Sequence, residues 1–451
     1  MDLSRKIEKQ LDLWKKSNSS LIMYGARQVG KTYILKKYIA ANFKNMLYIN
    51  LHNNIDAIKI IIGSIDIEDF LRRLSLFSNK KIDEQTCIFI DEIQEYYIYL
   101  SRHKEIEKYF DIIYQTKTFV VENKNRIVLS GSILRLELEH LITAPTGYLL
   151  QLEMFPLDFE EYLINNNIGE DIINIARSSL KDSKEVPDYI HDKFISLFNE
   201  YILVGGMPKA VSNYLDNKSF ELLEFVHKEI EDFLIDDIIK YTDANDKLKV
   251  KEIYNLIPTE LSNPTRKFII SDIPSHKKNN SEVLSFTWLN NAGITIPVFV
   301  CDEPTIPLIT KSKRNQFKLF FEDVGLLSYK MFDNETKSAI LENKINVNKG
   351  FIFENFVAQE LHAHNFKDLY YYNSRKYGEV DFVLEVKQNI LPIEVKSGKN
   401  NNYHRALNTI MDIKNYNLNK AIVLTHDNFY INDKLIYMPI YAISLLDDFK
   451  K

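Results

Sequence analysis

Apolar residues in the first part of the chain fall into short runs separated by amphipathic stretches. Residues 21–24 (LIMY), 46–51 (MLYINL), 86–90 (TCIFI), 126–132 (RIVLSGS) and 148–154 (YLLQLEM) read as strands, with helical segments at 33–39, 54–78 and 93–125 between them. A run without polar alternation, such as 86–90, suits a central strand of a parallel sheet covered on both faces. Strands alternating with helices predict a doubly wound α/β sheet, whose ligand belongs at the carboxyl ends of the strands.

Beyond residue 158 the period becomes helical up to about 247, interrupted at Val204-Gly205-Gly206-Met207-Pro208. Two glycines and a proline there mark a rigid turn. Two readings stay open for it: backbone approaching a nucleotide, or a tight corner between helices. Residues 248–329 mix short helices with extended pieces, the pattern of a winged-helix module. Lys311, Lys313, Arg314 and Lys318 form a basic cluster near it, which is either a DNA contact or a solvated face.

The last part of the chain carries an amphipathic helix at 350–362 and a strand beside it at Tyr370, Tyr371 and Tyr372. An alternating strand at 379–386 turns at Lys387-Gln388-Asn389 and pairs back over 390–396 as a hairpin. A helix at 404–414 and an apolar strand at 420–425 complete an α/β core. His362 and His364, two apart, do not share a helical face and read as surface residues.

Composition narrows the class. With 451 residues, 45% apolar and 26% charged, the chain has the makeup of an ordinary globular protein of several domains. A net charge of −5 leaves no global basic footprint, so any nucleic-acid contact is a local patch. Two cysteines, Cys87 and Cys301, each in an apolar setting, fit neither a disulfide framework nor a zinc site, and the reduced cytoplasm is the expected compartment. Residues 1–16 read as a charged amphipathic helix, and no run is long enough to span a bilayer, so no membrane partner is expected.

The strand at 21–24 stops at Gly25, and Gly30, Lys31 and Thr32 follow at P-loop spacing before the next helix. Phosphate oxygens must face several backbone N–H groups at once, which a glycine loop at a helix N-terminus allows. Gly25, Ala26, Arg27, Gln28, Val29, Gly30, Lys31 and Thr32 are therefore the expected ATP-binding residues. Lys31 reaches the β and γ phosphates and Thr32 completes the coordination of Mg²⁺. The run 86–90 ends in Asp91 and Glu92, a Walker B pattern in which Asp91 holds Mg²⁺ and Glu92 polarises the attacking water. Ser130 or Ser132, at the end of the next strand, is a candidate γ-phosphate sensor, against the alternative of a Ser-Gly turn.

A second set of chemical residues lies in the terminal hairpin. Glu394 and Lys396 sit on one face of their strand, about 6–7 Å apart, and in register Asp381 joins them. With Glu354 from the preceding helix these carboxylates would repel, and a divalent cation removes that penalty. Oxygen ligands suit Mg²⁺ or Mn²⁺. Glu354, Asp381 and Glu394 are thus candidate metal ligands. Lys396 is the candidate catalytic lysine of a site that hydrolyses nucleic acid. The alternative is a charged solvent face of the hairpin.

GARQVGKT, IFIDEIQ, LSGS, LEMFPLDFEEYL, VGGMP, EDVGLL and the GEVDFVL/ILPIEVKSG hairpin, in this order, resemble the prokaryotic AAA-type ATPases that carry a C-terminal domain of unknown function. That resemblance implies a winged helix followed by a PD-(D/E)XK restriction-endonuclease-like α/β fold. It implies Lys31, Thr32, Asp91 and Glu92 for the ATPase, and Glu354, Asp381, Glu394 and Lys396 for the nuclease-like motif. Where such proteins often have Gly-Arg before the last ATPase strand, this chain has Gly147-Tyr148, leaving Arg126 and Arg135 as substitute fingers or sensors. The expected domains are an ATPase core at 1–165, a helical lid at 166–247, a winged-helix region at 248–332 and a nuclease-like domain at 333–451. The expected function is Mg²⁺-dependent ATP hydrolysis controlling a metal-dependent nuclease acting on nucleic acid, with a homo-oligomer plausible because AAA modules commonly borrow a neighbour's arginine. The alternative is a nucleotide-operated switch whose terminal domain binds without cutting.

Overall fold

The computed structural model describes residues 2–122, 124–132, 147–242, 246–263, 281–342, 344–345, 347–398 and 404–446. They divide into two compact units, one made of Arg5–Phe155 with Asn291–Gly293 and the other of Met1–Ser4, Pro156–Asn290 and Ile294–Lys451. No helix among the described residues is long and apolar enough to cross a membrane.

The first unit runs α1 (Ile7–Lys16), β1 (Ser20–Tyr24), α2 (Lys31–Asn42), β2 (Asn45–Asn50), α3 (Ile55–Ile62), α4 (Ile67–Ser78), β3 (Thr86–Asp91), α5 (Gln94–Arg102), α6 (Ile112–Val121), β4 (Ile127–Gly131) and β5 (Leu149–Glu153). Its sheet has the order β2-β3-β4-β1-β5, and every pair is parallel. Every residue of β3 and β4 is buried, as a strand covered on both faces requires. Asp66 and Asp111 accept from backbone N–H groups at the starts of α4 and α6, which fixes where these helices begin. All five strands lie where the apolar runs predict them.

The second unit continues with α7 (Phe159–Asn165), α8 (Glu170–Lys181), α9 (Asp188–Val204), α10 (Pro208–Asn217), α11 (Phe220–Tyr241), α12 (Lys247–Ser262), α13 (Ser281–Asn291), β6 (Thr295–Cys301), β7 (Ser312–Phe321), α14 (Val324–Met331) and α15 (Asn334–Leu341). After these come α16 (Gly350–Ala363), β8 (Leu369–Ser374), β9 (Gly378–Val386), β10 (Asn389–Val395), α17 (Arg405–Met411), β11 (Ala421–Thr425), β12 (Tyr430–Asn432), β13 (Leu435–Pro439) and α18 (Ala442–Leu445). The sheet is eight-stranded and mixed, in the order β12-β13-β11-β10-β9-β8-β6-β7. The β9–β10 hairpin forms as its alternation predicts, with Val386 opposite Asn389 and Phe382 opposite Ile393.

Two features of the second unit bear on the expected boundaries. Residues 156–165, assigned from the sequence to the ATPase core, belong to the second unit. There the Phe159 N–H donates to Glu360 Oε1 at 3.0 Å, and its ring meets Phe198, Tyr201 and Phe356 edge-on. Among the described residues of 248–332 no separate winged helix closes on itself. Strand β6 is almost entirely buried and needs neighbours on both sides: it pairs with β7 on one and with β8 on the other, which makes it part of the sheet that carries the hairpin.

The VGGMP turn is a corner between helices. Gly205 has φ +80°, and a Cβ on it would lie 2.4 Å from Asp323 Oδ1. A Cβ on Gly206 would lie 2.1 Å from the Leu157 carbonyl oxygen. Asp323 accepts from the N–H groups of Gly206 (2.6 Å) and Leu326 (3.1 Å). Burial pushes the Asp323 carboxyl up to about 6, although these backbone donors pull it down. The VGGMP and EDVGLL motifs thus explain each other: an acid at the start of α14 fastens the glycine turn between α9 and α10.

Helix α16 is buried on every side from Phe351 to His362, not amphipathic as its apolar spacing implies. Its polar residues have partners inside: Asn355 exchanges bonds with the Phe321 backbone, Gln359 accepts from the Val324 N–H and donates to Tyr201, and His362 Nδ1 lies 2.9 Å from Glu322. His362 and His364 are therefore interior residues, which corrects the surface reading.

Candidate functional site

The site in the first unit is assembled by three adjacent strands. Strand β4 lies between β1 and β3, so the loop after β1, Asp91 at the end of β3 and Ser130 near the end of β4 meet at one edge of the sheet. The loop that follows Tyr24 has left-handed backbone at Gln28 (φ +64°) and at Gly30 (φ +96°). Gly30 is the N-cap of α2 and offers no side chain to its first N–H groups. Those donors and the helix dipole are left for an anion. Ala26 and Val29 are buried and hold the loop to the sheet, while Arg27 is half-exposed. Gly25 is required for packing: with φ +138°, a Cβ there would lie 2.1 Å from the Met154 carbonyl oxygen.

Lys31 Nζ donates to the carbonyls of Gly25 (3.0 Å) and Ala26 (2.7 Å), and the side chain is buried. Burial pulls its ammonium down to about 8, against the opposing charges of Glu92 and then Asp91. A desolvated cation beside a helix N-terminus without a capping side chain fits the phosphates of a nucleoside triphosphate.

Asp91 is the hub of the site. Its Oδ2 accepts from Thr32 Oγ1 at 2.8 Å and from the Tyr48 hydroxyl at 3.0 Å. Its Oδ1 accepts from Ser130 Oγ and from the Glu92 N–H at 3.1 Å. Thr32 and Asp91, an oxygen pair held in contact, fit Mg²⁺ bound with a nucleotide. Glu92 follows in left-handed backbone (φ +59°), a costly conformation for a non-glycine residue. The fully buried Gln94 side chain donates to Glu92 Oε2 and lies 3.4 Å from Ser132 Oγ.

Of the two serines, Ser130 is thus spent on Asp91 and Ser132 faces the Glu92–Gln94 pair. Sequence reasoning missed Tyr48, Gln94 and Arg5. Arg5 donates to the carbonyls of Val29 (2.9 Å) and Phe155 (2.6 Å), tying the phosphate loop to the end of the sheet. Only the Gln in IFIDEIQ gave any signal.

Arg126 does not reach this site. It precedes β4, about 13 Å along the strand from Ser130. Its guanidinium donates to the carbonyls of Ser19 (2.8 Å) and Ser17 and sits over the Trp14 ring. Its role is to fasten α1 to the sheet. Arg135 lies outside the described residues.

The hairpin in the second unit brings Asp381, Glu394 and Lys396 together, but with their bonds already assigned. Asp381 Oδ2 accepts from the Val395 N–H at 2.8 Å, and Lys396 Nζ donates to Glu394 Oε1 at 2.7 Å. Burial and the Asp381 charge push the Glu394 carboxyl well above the usual range, against Lys396 and Lys318. Glu394 Oε2 is buried without a hydrogen-bond partner.

Glu354, buried on α16, is held differently. Lys318 Nζ lies 3.2 Å from Glu354 Oε2 and 2.7 Å from Glu379 Oε1, and Lys318 is fully buried. Among the described residues, no group of three or more His, Cys, Asp and Glu is placed to hold a metal ion. Glu354, Asp381 and Glu394 do not make up such a group, and an ammonium from β7 engages the helix acid. Lys318 also leaves the proposed basic patch. Of the remaining three, Lys311 pairs with Glu303 at 2.7 Å, Lys313 pairs with Asp302, and Arg314 covers the Phe299 ring.

Residues 17–163 match the family model described as an AAA domain. This region has the makeup of an AAA-type P-loop ATPase. Residues 195–337 and 349–443 match two models described only as domains of unknown function, DUF8612 and DUF4143. An uncharacterized protein of Methanocaldococcus jannaschii, MJ1544, is 21% identical over 438 residues, covering 93% of this chain and 85% of its own. Among solved structures, the Walker-type ATPase PABY2304 of Pyrococcus abyssi aligns with a TM-score of 0.40 and 13% identity, over 73% of this chain and 96% of its own. The Aeropyrum pernix ORC1 protein, solved in complex with DNA, aligns with a TM-score of 0.31 and 12% identity, over 76% and 96%.

Proposed function

We propose that this chain is a nucleotide-operated switch: an ATPase whose nucleotide state controls a C-terminal α/β unit that binds a partner without cutting it. The observation that carries the ATPase half is the contact of Thr32 and Asp91 beside the buried Lys31 and the open N-terminus of α2. When bound, Mg²⁺ would polarise the γ-phosphate, and Thr32 and Asp91 are the residues that would hold it. Lys31 binds the β and γ phosphates, the loop N–H groups from Ala26 to Thr32 orient them, and Glu92 takes the proton of the attacking water. Ser132, joined to Glu92 through Gln94, is the better sensor candidate, since Ser130 serves Asp91. With Arg126 fastened to α1, this reading assigns the transition-state arginine to a second copy of the chain.

The non-cutting half draws on Lys318, whose buried ammonium pairs with Glu354. A second reading, a metal-dependent nuclease acting on nucleic acid, draws on the fact that Asp381, Glu394 and Lys396 do share one surface. Incubation of the full chain with plasmid DNA and Mn²⁺, beside Lys396→Ala, separates the two. The switch predicts no cleavage above background by either protein, and cleavage by wild type that Lys396→Ala loses would replace it with the nuclease. Coupling is read by hydrogen exchange: ATP bound to Glu92→Gln should change protection in the second unit, and an unchanged second unit would remove the switch.

A further inference from the structure

The eight-stranded sheet presents one face to α16, and on that face lie Glu379 from β9, Tyr371 from β8 and Lys318 from β7. Strand β7 is separated from β9 by β6 and β8, so the Lys318 side chain extends across the face to reach Glu379. On the way its ammonium passes over the Tyr371 ring, 5.0 Å from the centroid. It also meets Glu354 Oε2 from α16, and its charge acts on Glu394. A fully buried lysine is costly unless its charge is met, and here two carboxylates and an aromatic face meet it.

We propose that the Lys318 ammonium is the resident cation of this acidic cluster, standing in the charge role of a divalent ion, so that the native chain binds no divalent metal there. Three features carry this. Glu354 is engaged by Lys318, Asp381 caps the Val395 N–H, and Glu394 is bonded to Lys396, so each acid has a donor from the protein itself. Glu394 Oε2 is buried without a partner, and among the described residues no group of three or more His, Cys, Asp and Glu is placed to hold an ion such as Mg²⁺ or Mn²⁺. Lysine at 318 is also anchored in the fold, since β7 pairs with β6 and places Lys318 opposite Val298. The inference deepens the non-cutting reading given above and rests on it. Metal binding, not cleavage, is its readout, so the two can fail separately.

The test is Mn²⁺ binding to the nucleotide-free full chain, followed by electron paramagnetic resonance of the free ion. Wild type and Asp381→Asn should bind the same amount of Mn²⁺. Lys318→Met, which removes the ammonium and keeps the length, should gain one equivalent, and Lys318→Met with Asp381→Asn should lose it again. Mn²⁺ should likewise raise the melting temperature of Lys318→Met and leave that of wild type unchanged. A wild-type equivalent that disappears in Asp381→Asn overturns the proposal, as does a folded Lys318→Met that gains nothing. If Lys318→Met does not fold, the comparison of wild type with Asp381→Asn decides alone.

Discussion

Thr32 and Asp91, fifty-nine residues apart in sequence, are joined by a 2.8 Å hydrogen bond from the threonine hydroxyl to Oδ2 of the acid. That bond brings the first helical turn of α2 onto the end of β3, so the residues proposed to meet the phosphates and the metal form one piece. Thr32→Val keeps the shape and removes the hydroxyl. ATP affinity measured in EDTA should stay within about twofold, while the gain in affinity on adding Mg²⁺ should fall about tenfold or more, in keeping with the loss of one charge-assisted contact. Titration calorimetry with and without Mg²⁺ checks this.

Lys31 gives a pH signature. Its ammonium stands at about 8 in the free protein, so near pH 8 about half the molecules carry it neutral. Bound phosphates favour the charged form and raise it, so ATP binding at pH 8 should take up roughly half a proton, falling towards zero at pH 6.5 where Lys31 is already charged. Calorimetry in buffers of different ionisation enthalpy measures the uptake, and Lys31→Met should abolish it. For stability the sign is opposite to that of a stabilised lysine. The unfolded chain binds this proton up to about 10.5 and the folded chain only up to about 8, so this group's contribution to stability rises with pH across that window.

The Asp323 corner predicts stability effects without chemistry. Asp323→Ala leaves the Gly206 and Leu326 N–H groups buried without their acceptor and should cost about 2–4 kcal/mol. Gly206→Ala should cost at least as much, because its Cβ would meet the Leu157 carbonyl at 2.1 Å and backbone must shift. Urea unfolding followed at a probe in the second unit reports both. ATP turnover by the molecules that remain folded should be unchanged in KM.

Arg126→Ala distinguishes a fastener from a finger. The guanidinium serves the carbonyls at the end of α1, so its loss should lower the melting temperature while kcat and KM stay within about twofold. A finger would instead lose about a thousandfold in kcat at unchanged stability.

The first unit was legible in the sequence because each of its buried strands is a continuous apolar run and its chemistry sits directly at the ends of those runs. Thr86–Asp91 reads as one unit from Thr86 to the acid. The β9–β10 hairpin was legible from its alternation and from the turn at Lys387-Gln388-Asn389. Residues that act at long range were not. Tyr48 faces Asp91 from a neighbouring strand, Arg5 crosses from the chain start to Val29, and neither belongs to a local motif. Lys318 looked like one more exposed charge in a basic stretch, since nothing within β7 tells that Glu354 and Glu379 come from elsewhere to neutralise it. Helix α16 was misread as amphipathic because its polar residues are bonded inside the protein, and periodicity cannot tell a polar residue facing water from one facing a partner.

The central claim, that the first unit hydrolyses ATP with Glu92 as the base, is tested most directly by steady-state turnover of wild type and Glu92→Gln with Mg²⁺. The account predicts ATP binding within a few fold of wild type and turnover lower by a factor of about a hundred or more. Turnover by Glu92→Gln equal to that of wild type would contradict it.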